Sequence, residues 1–187
     1  FTLGVRVPTG SIDQYGDTPR GGSGTLERLP YTMQIGSGTL DFTGAVNYSK
    51  LLDDFKVGLT ANTTLRTGTN DNNYRLGNNY GASAWAQHSS NHWFQPGVRV
   101  SLREIESIKG ADTSLLVPAA FPYPASITNP DNYGGTRVNL SALVKICPEA
   151  NCNVSFSGEY GRPVFQNLNG IQPKDRHFVS ASAAVKF

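Results

Sequence analysis

The chain has 187 residues, 38% of them hydrophobic and 16% charged, with 20 glycines and a formal net charge of +2. No apolar run approaches the ~18 residues of a transmembrane helix, which excludes that class and leaves soluble domains and β-barrels, whose membrane signal is hidden in averages. With bases and acids nearly balanced, no nucleic-acid partner is expected.

Phe1, Leu3, Val5 and Val7 alternate with Thr2, Gly4 and Arg6, which predicts a first strand with one apolar face. Residues 8–39 form a long link. Leu40, Phe42, Gly44, Val46 and Tyr48 then alternate with Asp41, Thr43, Ala45 and Asn47, and a turn over 50–54 reverses the chain. The third run sets Phe55, Val57, Leu59, Ala61 and Leu65 opposite Lys56, Thr60, Asn62, Thr64 and Arg66. A second long link covers 67–77. Tyr80, Ala82, Ala84 and Ala86 oppose Ser83, Trp85 and Gln87, and a short link spans 89–92. Phe94, Val98, Val100 and Leu102 oppose Gln95, Arg99, Ser101 and Arg103. Pro96 is a misfit there, marking either a bulge or a strand that begins at Gly97, because proline withholds a ladder hydrogen bond.

The link over 105–135 is apolar and proline-rich, running Leu115-Leu116-Val117-Pro118-Ala119-Ala120-Phe121-Pro122-Tyr123-Pro124. It can fold into a barrel mouth, pack on itself, or pack on a neighbouring subunit or partner protein. Val138, Leu140, Ala142, Val144 and Ile146 then face away from Arg137, Asn139, Ser141 and Lys145. Cys147 and Cys152 flank a short turn. With no histidine or further cysteine near them in sequence they do not make a four-ligand metal site, so a disulfide closing a hairpin is expected, suited to an oxidising periplasm. Val154, Phe156, Gly158 and Tyr160 oppose Asn153, Ser155, Ser157 and Glu159, a last long link covers 161–176, and 177–187 alternates without a break to Phe187.

Eight such runs, joined by links that are short and long in turn, predict an all-β fold: a single domain over 1–187 that is a transmembrane antiparallel up-and-down β-barrel of the bacterial outer membrane. The short links and the C-terminus fall on the periplasmic side. Tyr48, Phe55, Tyr80, Trp93, Phe94, Tyr160 and Phe187 sit near strand ends, where an interfacial girdle belongs, and Phe187 is the expected assembly signal for the barrel-assembly machinery. Lipid and lipopolysaccharide are the other expected partners. A soluble β-sandwich also alternates, but it rarely shows such regular link lengths.

Val5-Arg6-Val7-Pro8-Thr9-Gly10, Gln34-Ile35-Gly36-Ser37-Gly38-Thr39, Tyr74-Arg75-Leu76-Gly77 and the stretch from Pro163 to Gln172 together resemble the outer-membrane transporter family linked to meta-pathway phenol degradation. The resemblance implies outer-membrane transport of small compounds. In that family the Pro-Thr-Gly motif lies behind several earlier strands. The resemblance therefore implies that these eight strands are the C-terminal part of a barrel of about twelve.

The polar face carries the candidate lumen and solute contacts: Arg6, Lys56, Arg66, Arg99, Arg103, Arg137, Lys145 and Lys186, against Asp41 and Glu159. Such bases either bias a pore toward anions or pair with loop carboxylates such as Asp13, Asp17, Asp71 and Asp112 to hold a plug. The function expected is a passive outer-membrane channel or uptake path for small solutes. The alternatives are a closed eight-stranded structural barrel that presents its outer loops to partners, and a soluble barrel holding one apolar ligand. No cofactor or metal is expected. Ser89 and Ser90 lie beside His88, but neighbours on a strand point to opposite faces, so no catalytic pair is expected. His88 and His92 lack the helical setting in which their spacing would suggest a metal. Gly21-Gly22-Ser23-Gly24 and the segment 67–73 resemble phosphate and calcium loops only superficially.

Overall fold

Each alternating run forms a strand, and the eight runs pair with their neighbours in chain order. The computed structural model describes residues 1–17, 24, 26–91, 93–115, 125–148 and 152–186. Phe187, His92, Gly21 to Ser23 and the apolar stretch 116–124 lie outside the described residues.

The elements in chain order are β1 (Thr2–Arg6), β2 (Tyr15–Asp17), β3 (Leu26–Arg28), β4 (Leu40–Leu52), β5 (Phe55–Thr67), β6 (Tyr74–Arg75), β7 (Asn79–His88), β8 (Phe94–Ile105), β9 (Lys109–Gly110), β10 (Gly135–Ile146), β11 (Val154–Leu168) and β12 (Phe178–Val185). A four-residue helix, α1 (Ala125–Thr128), lies between β9 and β10. Eight strands make one antiparallel sheet in the order β1-β4-β5-β7-β8-β10-β11-β12, and the small pairs β2-β3 and β6-β9 lie in the long links.

The predicted barrel is not closed. β1 pairs only with β4, and β12 only with β11, so the sheet has two free edges. The edge strands are also the shortest of the eight, with five and eight residues against ten to fifteen for the inner six. Period-two patterning dictates which face a residue takes and is silent on what an edge strand pairs with.

Register carries each face across strand boundaries. Val46, Ala61, Ala82, Leu102, Val138 and Phe165 are successive cross-strand partners, and Val57, Ala86, Val98, Ala142, Tyr160 and Val179 form a parallel row. The opposite face has the row Asn47, Thr60, Ser83, Ser101 and Asn139. Arg162 is an exception, because it faces Leu140 within the apolar rows, just before the bulge at Pro163.

Three local expectations change. The turn over 50–54 tightens to Asp53 and Asp54, with Leu52 opposite Phe55 and Asp53 at φ 44°, since the hairpin ladder extends as far as a two-residue loop permits. Pro96 neither bulges nor delays its strand. It sits opposite Val144 in β8, and pairing with β7 ends one residue later at Gly97, so the missing N–H falls where the ladder has run out. The last long link is shorter than expected because β11 continues to Leu168. It passes a bulge in which Val138 faces Phe165 while Asn139 faces Pro163, and this lets the strand carry a proline.

Burial is inverted relative to a water-soluble sheet. Val46, Leu59, Val98 and Val100 are 58%, 57%, 57% and 49% exposed, while Asp41 and Ser141 on the polar face are 0% and 2% exposed. The buried hydrophobic residues among those described are Ile12, Tyr31, Tyr74, Ile108, Leu115 and Cys147, none of them in the eight-stranded sheet. The core lies instead in a cap built from the links after β1, β5 and β8. Tyr31 packs edge-on against Tyr74 at 4.8 Å and Tyr133 at 5.7 Å, with Ile108 and Leu115 completing the cluster. Leu115, the described start of the apolar stretch, thus packs within the cap, and burying such a side chain stabilises by about 1.5–3 kcal/mol.

Candidate functional site

On the polar face two glycines stand opposite large aromatics. A Cβ on Gly58 would enter the Trp85 ring, and one on Gly161 would enter Phe178, so small residues admit rings that lie over the sheet. Two clefts follow on this face. One, of about 250 Å³, is bordered by Trp85, Gln87, Lys145 and Ser182; the other, of about 430 Å³, by Asn62, Ser101, Arg103 and Asn139. Arg99 and Glu159 line both.

Charges on this face are partly matched. Arg99 donates from Nη1 to Glu159 Oε2 at 2.6 Å, Arg66 Nε lies 3.6 Å from Asp41 Oδ2, and Arg137 Nε lies 3.0 Å from Asp175 Oδ2. Arg103 stands directly opposite Arg137 in the β8-β10 register, a like-charge pairing that Asp175 relieves on one side only. Among the described residues Arg6, Lys56, Arg103 and Lys145 make no ion pair. Lys186 follows β12, and its backbone N–H donates to the Asn153 carbonyl. Seven bases in the sheet therefore face three carboxylates, an excess of four positive charges on one face.

The loop carboxylates do not serve these bases as the plug arrangement requires. Asp112 and Asp13 both pair with Arg28, a cap residue, with Arg28 Nη1 at 2.9 Å from Asp112, and Asp17 accepts from the Gly24 N–H. Asp71 makes no ion pair among the described residues. Asp175 takes that role for Arg137. It was not legible in the sequence, because nothing in an irregular link signals which strand face it returns to. Its segment is fixed by Gln166, whose side chain donates to the Asp175 carbonyl and accepts from the Asp175 N–H.

At the cap end, the row Arg6, Asp41 and Arg66 crosses β1, β4 and β5. Asp41 accepts from Thr39 Oγ1 at 2.7 Å and from Ser37 Oγ at 3.3 Å. Arg66 donates to the Gly77 carbonyl, and its own carbonyl accepts from Arg75 at 3.1 Å. Beside this row lies a cleft of about 530 Å³ that brings together three of the glycine-rich motifs, from Val7 to Gly10, Gln34 to Ser37, and Leu76. Their glycines have a physical reason: the 8–10 and 34–37 backbones touch, and a Cβ on Gly36 would penetrate the Gly10 carbonyl group. Gly36 N–H also donates to the Ser11 carbonyl at 3.0 Å.

The cap tyrosines resist ionisation. Burial raises the Tyr31 and Tyr74 pKa values above 10.0 and pushes Tyr133 up to about 12. Tyr133 donates to the Ile127 carbonyl at 2.6 Å, and the Tyr31 hydroxyl accepts from the Asp112 N–H at 3.2 Å.

Cys147 and Cys152 form the expected disulfide, with Cα atoms 5.0 Å apart, closing the β10-β11 turn. Ser90 Oγ reaches His88 Nε2 at 2.9 Å, contrary to the strand-neighbour expectation, because β7 ends at His88 and the chain turns back there. The imidazole otherwise meets the edge of Phe55, at 5.3 Å, and the pair is exposed. Among the described residues no cluster of three or more His, Cys, Asp or Glu could hold a metal ion. The sequence matches no protein-family model and no curated protein.

Proposed function

We propose that the sheet is the wall of a transmembrane β-barrel in the bacterial outer membrane and that its basic polar face lines a passive path for small solutes. One observation carries this reading: the apolar face is exposed in continuous cross-strand rows, while the polar face is the more buried of the two and the hydrophobic core sits in the end cap. In water, rows of Val, Leu and Phe this extensive are a liability, whereas lipid is their natural solvent. The six inner strands have ten to fifteen residues, and about 9–11 suffice to cross a bilayer. In lipid the two free edges must be paired, with each other or with further strands, since open backbone groups there cost several kcal/mol each. The resemblance to the phenol-linked transporter family points the same way. Lipopolysaccharide would contact the cap end, and the disulfide fits the periplasmic end.

Conductance tests the reading. Detergent-extracted protein in a planar bilayer with a KCl gradient should give steady steps whose reversal potential favours chloride. Absence of steps from protein with folded β-structure would remove the path and leave a closed barrel that anchors its cap as a surface for partners.

A further inference from the structure

The cleft at the cap end has a composition that neither a plug nor a bare pore wall requires. Two residues of the charge row, Arg6 and Arg66, line it, while the carboxylate between them in register, Asp41, is fully buried and already bonded to two hydroxyls. Arg6 is exposed and makes no ion pair among the described residues. The row therefore carries one positive charge in excess, and both of its guanidinium residues, Arg6 and Arg66, line the cleft. The lining beside them includes Val7, Pro8, Thr9 and Leu76, and the volume of about 530 Å³ exceeds what an inorganic anion fills. Backbone contact between Gly10 and Gly36 fixes the walls before any ligand arrives, which lowers the ordering cost of binding.

We infer that this cleft binds a small organic monocarboxylate, its carboxylate held by Arg6 and Arg66 and its short apolar body against Val7, Pro8 and Leu76. Guanidinium suits the task because its planar donors match a carboxylate in pairs, which an ammonium cannot do. The inference names a solute class for the proposed path and rests on that reading for its biological meaning. Binding itself does not require conduction.

The test is equilibrium binding of hexanoate, hexanamide and acetate to the detergent-extracted protein, with protein-free micelles subtracted, alongside conductance of the same preparation. Hexanoate should bind roughly tenfold or more tighter than hexanamide, the effect of losing one charge-assisted contact. Acetate should bind more weakly than hexanoate because it leaves the apolar walls unused. Arg6→Gln should weaken hexanoate roughly tenfold and leave hexanamide unchanged, and Arg6→Lys should recover part of the loss. Equal binding of hexanoate and hexanamide, or an Arg6→Gln protein with undiminished hexanoate binding, overturns the site. Hexanoate binding without conductance upholds the site and sinks the path; conductance without hexanoate binding does the reverse.

Discussion

Arg99 and Glu159 meet at 2.6 Å across the intervening strand β10, joining β8 to β11 on the polar face. Their side chains are 34% and 15% exposed, so neither charge is fully hydrated once its partner is removed. Glu159→Gln should therefore destabilise the protein by about 1–2 kcal/mol, less than for a fully buried pair because solvent still screens Arg99. Urea unfolding of Glu159→Gln, Arg99→Gln and the double variant checks this, and the double variant should cost less than the two single effects added.

The apolar rows give a prediction of opposite kind. Val100 is 49% exposed, and at such a position on a soluble sheet an arginine changes stability by only about 0.5 kcal/mol. On a lipid-facing strand near mid-bilayer it costs about 2–4 kcal/mol. Val100→Arg should show the larger penalty when unfolding is followed in lipid vesicles.

The two faces were legible in the sequence because period-two patterning is local: Val98, Arg99, Val100 and Ser101 alternate in burial as their polarity dictates. The alternation of link lengths and the disulfide were legible for the same reason. The cap was not. Tyr31, Tyr74, Leu115 and Tyr133 come from three irregular links far apart in sequence, and nothing in each one announces the others. The pairing of Arg137 with Asp175 and the open edges at β1 and β12 were hidden likewise, since both depend on which distant backbone comes alongside. The glycine-rich motifs were visible as motifs, yet their purpose became clear only when Gly10 and Gly36 were seen in contact.

That contact can be broken directly. Gly36→Ala places a methyl into the Gly10 carbonyl group, and backbone on both sides leaves little room to yield. The cap should lose about 1–3 kcal/mol while the sheet persists. Limited proteolysis should then cut within 8–39 faster than in the parent, with circular dichroism of the strands unchanged.

Alkali should loosen the same cap. Tyr133 has its pKa raised by burial from 10.0 to about 12, so its stabilising contribution is complete below pH 10 and is lost as pH rises through about 12. Tyr31 and Tyr74 are raised as well and act in the same direction. Tyrosinate absorbance should rise together with protease sensitivity of the cap across that window, and Tyr133→Phe should weaken the coupling.

Lipid contact of one face and not the other can be read at single positions by fluorescence quenching with brominated lipid. In a background of Trp85→Phe and Trp93→Phe, tryptophan would be placed by Val100→Trp on the apolar face and by Ser101→Trp on the polar face, then quenching measured in vesicles. Strong quenching is expected for Val100→Trp and little for Ser101→Trp. Equal quenching at both positions, or none at either, would contradict lipid contact of one face alone.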